Sequence, residues 1–189
     1  IRVDWNVSSK DQVFGRVSYL RENKTVTPPL GPALDGGPLF DDGTFINYAK
    51  NGVISENHVF SSHLINQLRF AYNWGYFNWL QPSYNNTGLA ASFGLGGIPG
   101  GALNGGLPNL FINGIAGAGT PLFQPSPEHQ DVYQIIDDLT MIRGNHTFKF
   151  GVDFQNVRYS VLQPTFAHDA YGFDGHFTGS IFTPFTGSG

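Results

Sequence analysis

Apolar and polar residues alternate along several stretches of the chain, and a period of two is the pattern of a β-strand with one apolar face. The clearest case is residues 147–154, where every second residue is Phe or Val and the residues between them are Thr, Lys, Gly and Asp. The pattern predicts strands at 1–7, 12–20, 64–79, 131–142 and 147–162. Weaker patterns predict short strands at about 44–48, 53–60 and 171–178.

Two kinds of connection separate these strands. Residues 8–11, 61–63 and 143–146 are short polar turns, so the strands that flank them form hairpins. The links at 23–53 and 80–128 are long and rich in Gly, Pro and Asp, which interrupt regular structure. In antiparallel order, all short turns lie at one end of the strands and both long links at the other. Outer-membrane β-barrels have this asymmetry, whereas compact soluble domains prefer connections of about 4–6 residues.

Composition supports an all-β chain and excludes several kinds of site. Charged residues make up 13% of the chain, about half the usual share of ~25%, and aromatic residues make up 15%. The net charge of −4 offers no basic surface for nucleic acid, so no nucleic-acid partner is expected. The lack of cysteine excludes disulfides and thiolate sites. No apolar run reaches the ~18 residues of a membrane helix, but membrane strands need alternation over only about ten residues.

Two environments suit a strand with one phenylalanine-rich face: the core of a soluble β-sandwich, and a barrel wall between lipid and water. The arrangement of turns and links favours the wall. The lipid-facing candidates are Val3, Trp5, Val17, Leu68, Phe70, Tyr72, Phe148, Phe150 and Phe154. The lumen-facing candidates are Arg2, Asp4, Arg16, Arg69, Lys149 and Asp153. Trp74, Tyr76 and Trp79 are candidates for the aromatic girdle at the outer interface.

One predicted strand does not fit a simple lipid-facing pattern. In residues 131–142, Asp137 has the same parity as Tyr133, Ile135, Leu139 and Met141. A carboxylate that faces lipid is unfavourable. The alternatives are a shift of register at this point and a cover over the face near Asp137, and the sequence leaves both open.

Three segments resemble the barrel of TonB-dependent outer-membrane receptors, in particular the branch with an N-terminal carboxypeptidase-regulatory-like domain. They are "DQVFGRVSYLRE", "NHVFSSHLINQLRFAYN" and "IIDDLTMIRGNHTFKFGVDFQNVRYS". The resemblance covers about half of the chain and little of the long links. Its most specific part spans the last turn and comprises Asp137, Leu139, Arg143, Gly144, His146, Lys149, Phe150 and Gly151.

The resemblance implies a barrel of roughly 22 strands, closed by an internal plug, that imports a scarce nutrient such as a siderophore, vitamin, glycan or peptide. It implies a location in the outer membrane of a Gram-negative-type bacterium. The implied partners are membrane lipid, the nutrient, a TonB-type energising complex, and the plug and remaining strands of the same barrel. The plug and the TonB-interacting segment are not recognisable in residues 1–189, which we therefore interpret as one partial barrel segment.

The side chains that often carry chemistry form no catalytic or metal motif in this sequence. The six histidines lack the spacing of a metal site, although two His and two Asp lie within "HDAYGFDGH" at 168–176. The glycine-rich links match no phosphate-binding motif. In the pairs Asp41–Asp42 and Asp137–Asp138, adjacent residues on a strand point to opposite faces. We expect no enzyme activity, no cofactor and no metal.

The expected fold class is therefore all-β, with antiparallel hairpins that form an open, incomplete segment of a large transmembrane barrel with long extracellular loops. The loops at 23–53 and 80–128 are expected to capture the transported ligand. Two other functions fit the pattern. One is a secreted carbohydrate-binding β-sandwich that uses the aromatic residues at 74–79, and the other is a structural barrel that displays adhesive loops.

Overall fold

The fold is known from a computed structural model that describes residues 1–98, 101 and 104–175. The described chain forms eight strands and one four-residue helix. In chain order they are β1 (Arg2–Asn6), β2 (Asp11–Val26), β3 (Gly43–Ser61), β4 (Leu64–Leu80), α1 (Leu89–Ser92), β5 (Asn109–Ile112), β6 (Glu128–Arg143), β7 (His146–Val161) and β8 (Ala170–Phe173). The expected all-β class is confirmed.

Six of the strands form one antiparallel sheet in the order β1-β2-β3-β4-β6-β7. Each short turn joins neighbours in this sheet, and each long link joins strands that are also neighbours. Within the described residues, β1 and β7 pair on one side only, so the sheet is open as expected. No helix in this part of the chain is long and apolar enough to cross a membrane.

The chain divides into two units, which we call the wall and the loop unit. The wall comprises Ile1–Glu22, Ile46–Phe77 and Glu128–Val161. The loop unit comprises Asn23–Phe45, Asn78–Pro127 and Leu162–Gly189. The wall has almost no apolar interior: among its described residues, Val132 is the only hydrophobic side chain that is buried. Most of the hydrophobic area of the wall is therefore on its surface.

The strands are longer than the sequence pattern predicts. The short strands expected at 44–48 and 53–60 are parts of β3, which is continuous from Gly43 to Ser61. Asn51 and Gly52 are typical of a turn, so the sequence pattern divides this strand into two. In the sheet, β3 pairs with β2 on one side and with β4 on the other, and the strand is not interrupted. Strand β2 continues to Val26, six residues beyond the predicted end. Residues 21–25 are polar on both faces, so no alternation identifies them as part of a strand. The expected link at 23–53 is therefore confined to 27–42.

The loop unit contains a parallel pair that the sequence pattern does not predict. Strand β5 pairs with β8 over four residues, from Asn109↔Ala170 to Ile112↔Phe173. Strand β8 accounts for the beginning of the strand expected at 171–178, and residues 176–178 lie outside the described part of the chain. Pairing between segments sixty residues apart leaves no local signal, which is why sequence analysis missed β5 and its pairing with β8.

Glycine allows the backbones of the loop unit to approach closely. Gly37 and Gly119 have φ values of 85° and 91°, in the left-handed region that favours glycine. A Cβ on Gly119 would lie 1.8 Å from the carbonyl oxygen of Pro108. Gly37 N–H donates to Gly119 O at 3.0 Å, and Gly119 N–H donates to Leu34 O at 2.8 Å. These hydrogen bonds join the link at 27–42 to the link at 81–127.

Candidate functional site

The wall has one apolar face and one polar face. In β4, β6 and β7 the pairs Phe70↔Ile135 and Ile135↔Phe154 place three large hydrophobic side chains in one row. Toward the short turns, the pairs Leu139↔Phe150 and Met141↔Phe148 continue the same face beyond Asp137↔Val152. Phe150 and Phe154 are 58% and 62% exposed. We call this surface the apolar face.

The structure brings all nine lipid-facing candidates onto the apolar face. Val3 pairs with Gly15 and Trp5 pairs with Val13, so these residues of β1 and β2 point to the same side. Val3 and Val17 line one groove together with Phe70 and Tyr72 of β4, which connects the two halves of the face. Leu68, Phe148, Phe150 and Phe154 complete the set through the pairs of β4, β6 and β7. Contact with lipid remains a prediction.

The six lumen-facing candidates lie on the opposite, polar face. Arg2 binds Asp4 with an Nη2–Oδ1 distance of 2.6 Å and stacks its guanidinium 4.1 Å from the Phe14 ring centre. This contact explains Phe14, a large hydrophobic residue on the polar face of β2. Gln134 binds Asp153 at 3.0 Å.

The polar face also contains buried groups without partners. Arg16 donates to Asn51 at 3.5 Å, and Asn51 donates to Asn73, so polar contacts run from β2 to β4. Arg69 Nε and Ser55 Oγ are buried and have no hydrogen-bond partner among the described residues. Such groups are normally satisfied by water or by another part of a protein. The polar face is therefore suited to an aqueous or protein-filled interior.

Asp137 lies on the apolar face without any shift of register. Pairing is continuous from Glu128↔Val161 to Arg143↔His146, and Asp137 sits between Leu68 and Val152. The amide Nδ2 of Asn66 donates to its carboxylate at 2.5 Å. Of the two alternatives, the structure therefore excludes a shift of register, and it supplies a polar partner that sequence analysis did not identify.

An aromatic and charged cluster lies on the wall, in the second half of β4 and at the beginning of β6. Trp74 stacks on Tyr76 at 6.4 Å, and Trp74 Nε1 donates to His129 Nε2 at 2.7 Å. Tyr72 donates its hydroxyl to Asp131 at 2.6 Å. Trp79, grouped with these residues in the sequence analysis, has the opposite parity. Its indole donates to Asp42 O at 2.8 Å in the loop unit.

A cavity of about 680 Å³ opens in the loop unit. This volume lies within the ~300–1,000 Å³ of small-molecule sites. Its apolar lining comes from Leu39, Phe40, Phe111, Ile112, Ile115 and Phe173. Gly36, Gly117 and Gly172 expose backbone to it, and Asn113 and Asp174 add polar groups. The lining comes from three separate segments, so sequence analysis assigned ligand capture to the links without identifying these side chains.

Two carboxyl groups are fully buried in the loop unit, next to the segment that lines this cavity. Asp35 and Asp42 both have 0% of their surface exposed. Burial raises the pKa of Asp35 to about 6, against hydrogen bonds from Ser83 and Thr120 that lower it. Burial also raises the pKa of Asp42 to about 6, and the negative charge of Asp35 adds to this increase. Within the part of the chain that the structure describes, no side chain donates to the Asp42 carboxylate oxygens.

These pKa values predict that the loop unit loosens as the pH rises. Both carboxyls have folded-state pKa values above the unfolded value of 3.8, so the folded state holds its protons more tightly. Their contribution is present below about pH 4 and is lost as the pH rises through about 6. Asp42→Asn should flatten this dependence. The measurement is hydrogen exchange of residues 27–42 in the full-length protein at pH 4.5 and 7.5, for wild type and variant.

Residues 146–161, in the wall, are the internal control for this comparison and should show the same protection in both proteins. Equal loss of protection with pH in wild type and Asp42→Asn would contradict the assignment.

The five histidines that the structure describes form no arrangement that requires a metal. His168 is buried and satisfied by Gln81, with 3.0 Å between Nε2 atoms, and His176 lies outside the described residues. Asp11, Glu56 and His58 bring one ligand atom each to within 4.8 Å of one another. Both oxygens of Asp11 are already bonded, one to Ser8 and one to His58. The Asp11 carboxylate is therefore satisfied without a cation.

A two-faced antiparallel sheet with short turns at one end and long links at the other defines the class of outer-membrane barrel walls. A family model described as "Outer membrane beta barrel domain" matches residues 1–187. The chain belongs to this family, and the family places it in the outer membrane. A search of the curated proteins and a search of the solved structures found no match.

Proposed function

We propose that the chain is part of the wall of a TonB-dependent transporter that imports a scarce nutrient, and that its role is not catalytic. The resemblance of the three hairpin segments to TonB-dependent receptors supports this proposal. The observation that carries it is the polar face of the wall, because a wide, plugged lumen is lined by polar and charged side chains. On this proposal the apolar face contacts lipid.

Unpartnered buried groups on the polar face support a plugged lumen in particular. Arg69 Nε and Ser55 Oγ have no partner among the described residues. A buried Nε–H group that remained unsatisfied would be costly. In a transporter, the plug would supply acceptors for Arg69 and for Lys149, whereas Arg2 and Arg16 already bind Asp4 and Asn51. The TonB-type energising complex would act through a segment outside this chain.

The cavity in the loop unit is the proposed place of ligand capture. Phe40, Phe111 and Phe173 give it an apolar surface of the size that small-molecule sites have. It would bind an apolar portion of the nutrient, while the polar groups of Asn113 and Asp174 fix its orientation. Siderophores, vitamins, glycans and peptides differ in how much apolar surface they offer to such a cavity.

A variant that fills the cavity should reduce uptake. Gly172 lines the cavity, and a Cβ there would meet no atom within 4 Å, so Gly172→Leu is expected to extend its side chain into the cavity. Gly96→Leu is the matched control, because Gly96 is equally open and does not line the cavity. Growth of a deletion strain on limiting siderophore iron, vitamin, glycan or peptide is measured after complementation with each full-length gene.

We expect the deletion strain to grow poorly on one of the four nutrients, and the wild-type and Gly96→Leu genes to restore its growth. The strain with Gly172→Leu should require about tenfold more of this nutrient, equivalent to about 1.4 kcal/mol of binding free energy. Disruption of the TonB-type complex should reproduce the defect. Growth that is unaffected by deletion on all four nutrients would contradict import. It would favour the alternative, a barrel that only displays adhesive loops.

The second alternative, a soluble carbohydrate-binding sandwich, has less support. A sandwich buries apolar side chains between two packed sheets. The wall instead exposes its phenylalanines and buries only Val132 among its described hydrophobic residues. The family match to an outer-membrane domain also favours a membrane protein.

A further inference from the structure

A groove of about 440 Å³ crosses the apolar face of the wall over four strands, β1 to β4. Gly15 of β2 and Gly52 of β3 form part of its lining, and a Cβ added to either glycine would meet no atom within 4 Å. Val17, Ile54, Phe70 and Tyr72 line its sides. The groove is almost entirely apolar, and its two glycines leave open space that an extended hydrocarbon chain can occupy.

Two cations lie on the same face, toward the end of the wall that carries the long links. Lys50 is two residues from Gly52 on β3, so it points to the same side and lies about 7 Å farther along the strand. Its Nζ is 5.0 Å from the Trp74 ring centre, and Arg21 Cζ is 5.5 Å from that of Tyr48. Among the described residues, neither Lys50 nor Arg21 forms an ion pair.

The groove suits the acyl chain of a membrane lipid, and the two cations suit an anionic headgroup. In outer-membrane barrels the long loops are extracellular, so this end of the wall lies at the outer leaflet. Lys50 and Arg21 lie among aromatic residues, which occupy the headgroup level. We propose that this surface binds a phosphate-bearing, multiply acylated lipid of the outer leaflet, with one acyl chain in the glycine groove and a phosphate at Lys50 and Arg21.

The proposal rests on the family and on the wall, and it is independent of nutrient import. A lipid bound in this way is held by two distinct interactions. Filling the groove removes the place of the acyl chain and leaves the cations intact. Reversing the charge of Lys50 repels the phosphate and leaves the groove intact. A lipid that merely surrounds the barrel would respond to neither change.

The test is retention of diphosphoryl lipid A by the full-length protein in mild detergent, measured by native mass spectrometry. The test variants are Gly52→Leu, which fills the groove, and Lys50→Glu. The matched controls are Gly75→Leu, on the polar face of β4, and Lys10→Glu, in the first short turn. Gly52→Ala is a milder filling variant in case Gly52→Leu impairs assembly. Heat-modifiable migration in gels confirms that each barrel has assembled.

We expect one retained lipid per wild-type protein and about tenfold weaker binding in both test variants, because each removes one of two required contacts. The controls should bind like wild type, and inorganic phosphate should not compete at millimolar concentration. Equal binding by all variants would overturn the proposal. So would a loss in Gly52→Leu without a loss in Lys50→Glu, or displacement of the lipid by free phosphate.

Discussion

Phe150→Arg in the full-length protein is expected to abolish or strongly reduce barrel assembly. Phe150 lies on the apolar face opposite Leu139 and is 58% exposed. Arginine at a lipid-facing position near the middle of the bilayer costs about 2–4 kcal/mol. This is a large part of the marginal stability of a typical protein, about 5–15 kcal/mol. The measurement is the heat-modifiable fraction in outer-membrane preparations.

The matched control is Gln155→Arg, which introduces the same side chain into the same strand on the polar face. Gln155 pairs with Gln134, next to a carboxylate at Asp153 that can accept hydrogen bonds. We expect this variant to assemble like wild type. Normal assembly of Phe150→Arg, or equal damage by both substitutions, would show that the assignment of the two faces is wrong.

The second large effect is expected at the pair formed by Asn66 and Asp137. Asn66 donates to the Asp137 carboxylate at 2.5 Å and to the carbonyl oxygen of Asp138 at 3.2 Å. Asn66→Leu removes both donors and leaves Asp137 on the apolar face without its amide partner. Because an unsatisfied polar group costs about 1–3 kcal/mol, and more when charged, unfolding in lipid vesicles should occur at a lower urea concentration.

Replacing the carboxylate as well should reverse this loss. Asp137→Leu combined with Asn66→Leu gives a uniformly apolar patch between Leu68, Leu139 and Val152. We expect the double variant to be at least as stable as wild type, since removing both partners of a polar pair is nearly neutral. If Asn66→Leu alone leaves the urea midpoint unchanged, then Asp137 does not depend on this amide.

The alternation of side chains was sufficient to predict the two faces of the wall. Every lipid-facing candidate lies on one face and every lumen-facing candidate on the other, because the side-chain period of a strand is two and hairpin turns preserve it. Asp137 could not be resolved in the same way. Its partner Asn66 is 71 residues away in the chain, and only the strand order brings β4 beside β6.

The loop unit was much less predictable than the wall. Its interior contains more polar than apolar side chains, including Asp35, Asp42, Gln81, Gln124 and His168. These residues have no periodic pattern, and their hydrogen bonds join distant parts of the chain. For example, Gln124 Nε2 donates to Asp42 O across 82 residues. Composition therefore predicted irregular links. In the structure, these links form most of a separate unit that contains a cavity.

The central claim is that one face of the wall meets lipid and the other meets water. Strand β7 offers the most direct test, because the sequence contains no cysteine and single cysteines can be introduced for spin labels. Labels are placed at 147–150 and 152–155; residue 151 is omitted because a Cβ there would lie 2.5 Å from Asp138 Oδ1.

In the full-length protein in lipid vesicles, dissolved oxygen should accelerate the spin relaxation of labels at 148, 150, 152 and 154. A water-soluble nickel complex should accelerate the spin relaxation of labels at 147, 149, 153 and 155. Access of the nickel complex to both sets, or the absence of alternation along β7, would contradict the account.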